Sequence, residues 1–203
     1  MMVRIVQIII IVLLRPFLYL LYRPRLSGVD LVREPHHPIL FVANHSNYID
    51  AFLLALLPWR LLRRTLPIYY PTTSVFMGKW HYRALLAPMG AYTMYRWSTS
   101  LAEYLKDTLA HLTKGNSVLL FPEGGHVEPG KRKPGKPGIG YIAHHVSELH
   151  IIPLHITFTE GATWFGSRLT LALGSEITER PAGDTPQDFR QFADTVLDTI
   201  YQL

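Results

Sequence analysis

The sequence contains no cysteine among its 203 residues. Disulfide bonds, thiolate metal ligands and a cysteine nucleophile are therefore excluded. It also lacks the G-x-S-x-G pattern that sets a nucleophilic serine on a tight strand-to-helix turn. Its ten histidines form no H-E-x-x-H pattern or other closed ligand set, so nothing in the sequence specifically indicates a metal centre.

Acidic residues are fewer than basic ones, 15 against 20, which gives a formal net charge of +5. A positive balance favours anionic partners such as membrane phospholipid, phosphorylated substrates, acidic carriers or nucleic acid. We expect no nucleic-acid partner, because the charge is dispersed and no recognition motif is present. The mean hydropathy of +0.12 is high for a soluble domain, and the excess lies at the N-terminus.

The first 22 residues are strongly apolar. They contain no alanine and no A-x-A-like cleavage site follows, which argues against a secretory signal. Arg15 and Pro16 interrupt the run, and at mid-membrane a charge is costly and a proline removes a helix hydrogen bond. We expect residues 1–25 to form a membrane-anchoring helix in one leaflet, or a short bent hairpin; a buried core helix is the alternative. Arg23 and Arg25 suit an interfacial anchor, which predicts a membrane-associated protein at the cytoplasmic face.

The remaining chain alternates apolar runs of strand length with helical patterns. Strands are predicted near residues 26–31, 39–42, 67–70, 91–96, 117–121, 151–156 and 168–173. Helices are predicted near residues 51–57, 76–86, 98–114, 140–146 and 185–203. No repeat is present and no linker is long enough to divide the chain. The pattern predicts one α/β domain over residues 26–203, with a mixed central sheet flanked by helices.

Residues 44–50, N-H-S-N-Y-I-D, join the strand at 39–42 to the helical run at 51–57. Polar residues there suit a turn and a helix cap. If the turn folds back, the Asp50 carboxylate accepts a hydrogen bond from one imidazole nitrogen of His45 and leaves the other nitrogen basic. We therefore predict that His45 is a general base and that Asp50 holds its tautomer. The alternative is a helix-capping aspartate beside an ordinary loop histidine.

Residues 130–137, G-K-R-K-P-G-K-P, form a basic stretch that partly matches a phosphate loop. Pro137 replaces the hydroxyl residue that would bind Mg²⁺, and the strand-to-helix context is missing, so we reject a nucleotide-hydrolysing site. The remaining hypotheses are a mobile basic loop for phosphates, a lipid surface or an acidic protein, and a solvated run of charge.

Four blocks in the same order resemble the glycerolipid acyltransferase family, whose PlsC-like members include the lysophosphatidate acyltransferases. Residues 44–50 match its N-H-x4-D, and residues 90–96 match its glycine and arginine six apart, with Lys79 and Pro88 upstream. Residues 121–124 match its F-P-E-G, and residues 151–154 match its apolar proline strand. H-x4-D alone is a weak signal, but F-P-E-G about 75 residues later makes the pair specific. The resemblance covers roughly residues 26–177 and makes residues 26–203 a PlsC-like acyltransferase domain.

The resemblance implies an interfacial enzyme that moves a fatty acyl group from acyl-CoA or acyl-carrier protein to a lysophospholipid hydroxyl. The leading hypothesis is conversion of 1-acylglycerol-3-phosphate to phosphatidic acid on a membrane lipid surface, with no cofactor beyond the acyl donor. The expected site comprises the catalytic pair His45 and Asp50 and the substrate-binding residues Asn44, Lys79, Arg96, Phe121, Pro122, Glu123 and Gly124, with no metal ligand. In it Arg96 holds the acceptor phosphate; Glu123 lines the acceptor pocket or, alternatively, pairs with Arg96.

The chain departs from the family pattern in two places. Gly125, His126 and Val127 follow F-P-E-G where the family usually has threonine, arginine and serine, and Tyr95 stands where it often has aspartate. The acceptor headgroup is therefore open, and another lysolipid or an acylated amino-acid lipid is an alternative. A metal-dependent hydrolase and a non-catalytic lipid-binding protein are hypotheses from other classes. The missing cysteine and serine elbow favour direct attack by the acceptor hydroxyl over an acyl-enzyme.

Overall fold

The computed structural model describes residues 1–32, 37–94, 98, 100–128, 130–158 and 168–203. Its strands are β1 (Arg25–Ser27), β2 (Ile39–Ala43), β3 (Ile68–Thr73), β4 (Ala91–Met94), β5 (Ser117–Leu120), β6 (His150–Phe158) and β7 (Leu169–Leu173). They form one seven-stranded sheet in the order β1-β7-β6-β2-β5-β3-β4. Neighbouring strands run parallel except β6 and β7, which are antiparallel. The predicted mixed central sheet is confirmed.

Helices cover both faces of this sheet, as the α/β prediction requires. They are α1 (Met2–Tyr22), α2 (Trp59–Thr65), α3 (Ser74–Met77), α4 (Trp80–Leu86), α5 (Leu101–Thr113), α6 (Gly138–His145) and α7 (Pro186–Tyr201). Short 3₁₀ helices occur at Val29–Leu31, Asp50–Leu56 and Ala87–Met89.

Strand β2 lies in the middle of the sheet and all five of its residues are buried. Its side chains alternate between two apolar cores, because successive residues of a strand point to opposite faces. Ile39 and Phe41 pack in the core that also holds buried residues of α1 and α2. Leu40 and Val42 pack in the core formed with α5, α6 and α7. The continuous apolar run that predicted a buried strand therefore reflects burial on both faces.

Three predicted helix boundaries are corrected by the structure. The helix expected over residues 76–86 is two helices, α3 and α4, because Lys79 between them is extended (φ −90°, ψ 121°) and the preceding Gly78 is a weak helix former. The helix predicted over residues 51–57 is a 3₁₀ helix that begins and ends one residue earlier, at Asp50 and Leu56. Helix α5 is capped by the Ser100 hydroxyl, which accepts the Glu103 N–H, and not by Ser98; the other predicted cap, Thr99, lies outside the described residues.

Helix α1 is one continuous helix of 21 residues, so the bent hairpin considered from the sequence is wrong. By length and composition it is apolar enough to cross a membrane. Pro16 lies inside it. The Arg15 guanidinium lies over the rings of Tyr19 and Trp59, 5.7 and 5.9 Å from their centroids. The membrane-anchoring role of residues 1–25 stays a prediction.

Gln7 fastens α1 to the sheet through its side-chain amide. Its Nε2 donates to the carbonyls of Ile68 at 2.6 Å and Met89 at 2.8 Å, and its Oε1 accepts the Ile68 N–H at 3.0 Å. The side chain is buried. These bonds satisfy main-chain groups of β3 and of the turn before β4, so the one amide of this apolar helix has a structural purpose that the sequence did not reveal.

We expect Gln7→Ala to lower the free energy of unfolding by about 1–3 kcal/mol, because it leaves buried main-chain groups of Ile68 without partners. Chemical unfolding of the full chain in detergent measures this change. The matched control is Gln191→Ala on the exposed side of α7, where a change within about 0.5 kcal/mol is expected. Equal stability of the two variants would contradict the anchoring role of Gln7.

Candidate active site

Polar loops gather at the carboxyl ends of three parallel strands, β2, β5 and β3. Val42 pairs with Leu120, and Tyr69 pairs with Val118, so the three strands end at the same edge of the sheet. The H-x4-D turn follows β2 and the F-P-E-G block begins directly after β5. In open α/β sheets, ligands bind beyond the carboxyl ends of the strands. Strand register therefore brings two motifs together that are far apart in sequence.

His45 and Asp50 form a hydrogen-bonded pair. Nδ1 of His45 lies 3.0 Å from Oδ2 of Asp50, and the side chain of Asp50 is fully buried while that of His45 is 20% exposed. An ionised carboxylate only accepts hydrogen bonds, so Nδ1 carries the proton and the lone pair of Nε2 is left as the basic atom. The structure brings the two predicted residues together; their catalytic role stays a prediction.

The local turn positions the carboxylate of Asp50. Backbone N–H groups of Ser46 and Asn47 each donate to Oδ2 at 2.8 Å, so this single oxygen accepts three hydrogen bonds. The N–H of Asp50 itself donates to the carbonyl of Asn47 at 3.1 Å, which closes the turn. Among the described residues, Oδ1 is buried with no hydrogen-bond partner. The whole turn is thus organised around the oxygen that also orients the imidazole.

Aromatic rings fix the plane of the imidazole. The His45 ring stacks on Phe121 with centroids 4.1 Å apart and an interplanar angle of 16°. His126 meets it edge-on at 5.7 Å and is itself stacked on Tyr48 at 5.3 Å. His126, which the sequence singled out only as a departure from the family pattern, is therefore a neighbour of the dyad.

Glu123 lies in the F-P-E-G block after β5 and is 1% exposed. Its Oε2 accepts the backbone N–H of His45 at 3.1 Å. Its Oε1 accepts the hydroxyl of Tyr201 at 2.8 Å and the backbone N–H of Lys133 at 3.4 Å. This carboxylate therefore ties the histidine loop to α7 and to the basic loop. Glu123 is not among the described residues that line the cleft beside His45, and its predicted contact with substrate stays a prediction.

Tyr201, at the end of α7, is a residue that sequence reasoning missed. Its hydroxyl reaches a carboxylate 78 positions earlier in the chain, and the Arg132 guanidinium lies over its ring, 5.6 Å from the centroid. Burial, then the hydrogen bond and charge of Glu123, raise the pKa of Tyr201, so the phenol remains a proton donor at neutral pH. A C-terminal tyrosine at a helix end carries no sequence signal for such a contact.

The exposed edge of the His45 ring opens on a cleft of about 590 Å³. The described lining comes from the ends of β3, β4 and β5 and from α5 and α6: His45, Pro71, Thr72, Thr73, Met94, Leu101, Tyr104, Leu105, Leu120, Phe121, Pro122, Gly124, Gly125, Lys136, Pro137, Gly138 and Ile139. Most of these groups are apolar, as a site for an acyl chain requires. Among them, Lys136 carries the only permanent charge, and none is a carboxylate.

Lys136 passes directly over Gly124. An ideal Cβ on Gly124 would lie 2.7 Å from Cγ of Lys136, and Gly124 adopts a φ of +69°. Both observations require glycine at this position of F-P-E-G. The glycine thus lets the lysine stem run along the cleft wall.

The other predicted substrate-binding residues are placed as follows. Phe121, Pro122 and Gly124 line the cleft. Asn44 is buried, and its amide exchanges two hydrogen bonds with the main chain of Ile156, at 2.8 and 2.7 Å, which ties β2 to β6. Lys79 is exposed before α4, with Nζ 5.9 Å from the ring centroid of Tyr82, and does not line the cleft. Arg96 lies outside the described residues, as does its alternative pairing with Glu123.

The basic loop is held against the domain through contacts of its backbone and of its side chains. The N–H of Gly135 donates to Asp194 Oδ1 at 2.7 Å, and the N–H of Lys136 donates to the carbonyl of Pro122 at 2.8 Å. Arg132 pairs with Asp198 at 2.5 Å. These contacts hold the loop against α7 and the F-P-E-G block. In the described part of the chain, no group of three or more His, Asp or Glu side chains is placed to hold a metal ion.

Comparison with known proteins gives a consistent result. The profile of the family described as Acyltransferase matches residues 23–157. The 1-acyl-sn-glycerol-3-phosphate acyltransferase BAT2, a chloroplastic protein of Brassica napus, is 26% identical over 129 residues, which are 62% of this chain and 35% of that protein. The chain thus spans about a third of the length of this curated relative.

A solved structure shares the fold. The crystal structure of the 1-acyl-sn-glycerophosphate (LPA) acyltransferase PlsC from Thermotoga maritima superposes with a TM-score of 0.65, over 93% of this chain and 75% of that one. Sequence identity is 15%, so the likeness shows the architecture alone.

We expect Tyr201→Phe to lower the free energy of unfolding by about 1.5 kcal/mol, because the buried carboxylate of Glu123 loses a hydroxyl donor. Urea unfolding measures the change. Tyr141→Phe on α6 is the matched control, since its hydroxyl makes no hydrogen bond to the described residues. If both substitutions have the same effect, the Tyr201–Glu123 bond does not stabilise the site.

Proposed function

This chain belongs to the acyltransferase family, and we propose that it transfers a fatty acyl group from a thioester donor to the hydroxyl of a lysophospholipid. Acyl-CoA or acyl-carrier protein is the donor. The observation that carries the proposal is the His45–Asp50 pair, whose histidine lines an apolar cleft at the carboxyl end of the sheet. A hydroxyl is a weak nucleophile at neutral pH, and a positioned base makes it more reactive by taking its proton as the oxygen attacks.

The reaction proceeds by direct attack. Nε2 of His45 takes the proton of the acceptor hydroxyl while the hydroxyl oxygen attacks the carbonyl carbon of the thioester. The tetrahedral intermediate collapses, the carbon–sulfur bond breaks, and the imidazolium returns the proton to the departing thiolate. Asp50 stabilises the imidazolium through Nδ1–H throughout. Because the donor is already activated and the chain has no cysteine, no acyl-enzyme is needed.

The charge of the cleft supports an anionic acceptor. Lys136 offers an ammonium donor in a described lining that contains no carboxylate to compete for it. A phosphate monoester of the size of a glycerol-3-phosphate group suits such a cation. We take 1-acylglycerol-3-phosphate as the first acceptor to test, in agreement with the name of the Brassica napus relative. The family resemblance gives Arg96 the same task, and another lysolipid or an acylated amino-acid lipid is the alternative acceptor.

We further propose that the enzyme works at a membrane, at the cytoplasmic face. Both the acceptor and the product partition into a bilayer, and α1 is apolar enough to reach into one.

Replacing His45 by alanine should lower turnover by about 10²–10⁴-fold or more, because the general base is lost. Purified protein in liposomes is supplied with lysophosphatidate, or one of a panel of other lysolipids, and with acyl-CoA or acyl-carrier protein. Mass spectrometry then measures the diacyl product. His144→Ala, on the exposed side of α6, is the matched control and should retain activity. A folded His45→Ala protein that keeps normal turnover refutes the mechanism.

Lys136→Ala should raise KM for lysophosphatidate about tenfold, since a hydrogen bond to a charged group is worth about 1.5 kcal/mol. KM for an uncharged monoacylglycerol, if it is turned over at all, should not change. Lys131→Ala is the control, because that side chain pairs with Glu128 at 2.6 Å outside the cleft. An equal rise in KM for both acceptors would mean that Lys136 does not bind the phosphate.

A further inference from the structure

The exposed large apolar side chains of the molecule are concentrated in two segments. The first segment is α1, where nine such residues are exposed, with Met1 just before the helix as a tenth: Met2, Ile5, Ile8, Ile9, Val12, Leu13, Phe17, Tyr19 and Leu20. The second runs from α2 to α4 and exposes Trp59, Val75, Phe76, Trp80, Tyr82 and Leu85. Elsewhere in the described chain only Leu31, Tyr48 and Leu203 belong to this class. Single exposed apolar residues are ordinary, but this clustering is not.

The second segment is centred on α3 and α4, and we call these two helices the α3–α4 surface. Trp80 is 80% exposed, Val75 64% and Leu85 61%. Helix α4 runs directly into the 3₁₀ helix Ala87–Met89, and α1 packs on that 3₁₀ helix. The two apolar segments therefore lie on adjoining elements of the fold.

Charge is distributed in the same way along the chain. Residues 1–29 contain no aspartate or glutamate, and neither do residues 51–102. Of the 15 acidic residues, only Asp30, Glu34 and Asp50 precede Glu103. Lys79 and Arg83 are both exposed and flank Trp80. Cations beside tryptophan and tyrosine, without acidic neighbours in sequence, suit the headgroup region of an anionic bilayer.

The α3–α4 surface also follows directly on residues that line the cleft. Pro71, Thr72 and Thr73 at the end of β3 line the cleft, and α3 begins at the next residue. A bilayer that contacts α3 and α4 would therefore lie next to the opening that leads to His45.

From these observations we infer that α3 and α4 form a second membrane-docking surface, separate from α1, that binds the headgroup region of anionic phospholipid. Trp80 and Leu85 enter the interface, and Lys79 and Arg83 pair with lipid phosphates. Two attachment points would fix the orientation of the domain, which one helix cannot do. The cleft would then face the lipid from which an amphiphilic ligand arrives.

The first test uses the fluorescence of Trp80 in the full-length protein. The emission of wild type minus that of Trp80→Phe isolates Trp80, and it is recorded with vesicles of phosphatidylcholine and phosphatidylglycerol with and without brominated acyl chains. We expect a blue shift on binding and quenching by the brominated lipid. Vesicle-bound protein whose Trp80 emission is neither shifted nor quenched would overturn the inference, because α1 alone would then account for binding. If Trp80 emission is already blue-shifted without lipid and the protein sediments as a dimer, the inference is overturned, because a second copy of the chain then covers this surface.

The second test uses charge. Lys79→Gln with Arg83→Gln should weaken partition onto anionic vesicles by about fivefold for each cation removed, and should leave binding to neutral phosphatidylcholine unchanged. Lys106→Gln with Lys114→Gln, on α5 and just after it, is the matched pair and should change little. Equal loss in both pairs would show that only total charge matters and would refute the surface. Neither test measures acyl transfer, so each result stands whatever the enzyme's acceptor.

Discussion

The parallel pairing of β2 with β5 is the constraint on which the site depends. It sets the end of one strand beside the end of the other, with Val42 opposite Leu120, so that the turn after β2 and the block after β5 occupy one edge of the sheet. The His45 ring can then stack on Phe121. A slip of one residue would turn the side chains of β2 to the opposite faces and shift the turn that carries His45 relative to Phe121. The pairing of β2 with β5 on one side and with β6 on the other therefore sets where His45 lies.

Two buried carboxylates, Asp50 and Glu123, position His45 at that edge of the sheet in different ways. Asp50 collects three N–H donors on one oxygen and orients the imidazole through one of them. Glu123 does not contact the imidazole. It accepts hydrogen bonds from the backbone N–H of His45 and from the hydroxyl of Tyr201 in α7. A buried carboxylate without such donors would be costly, so these hydrogen bonds offset part of the cost of burying Asp50 and Glu123. The position of His45 thus depends on residues from both halves of the sequence.

The polarity of the molecule agrees with a reaction on lipid. Apolar exposure and uncompensated positive charge both concentrate in residues 1–102, whereas 12 of the 15 acidic residues lie in residues 103–203. The acidic half supplies partners for the basic loop, as Asp194 and Asp198 do for Gly135 and Arg132. This leaves Lys136 in the cleft as a cation beside the dyad. The excess of positive charge therefore comes from residues 1–102 and is not spread evenly over the chain.

The sequence by itself determined the α/β class, the order of the strands and of most helices, and the pairing of His45 with Asp50; helix α2 was not predicted. These are local properties: strand and helix periodicity extend over a few residues, and five positions of a tight turn are enough to join an imidazole to a carboxylate. Only the tertiary structure decided that Gln7 anchors α1, that Asn44 ties β2 to β6, that Glu123 meets Tyr201 and that Lys136 enters the cleft. Each of these contacts joins residues of different elements, so it depends on the order and register of strands, which no local pattern encodes. The split of residues 76–86 into two helices is a local effect instead, because the break lies at Gly78 and the extended Lys79, within an otherwise helical pattern.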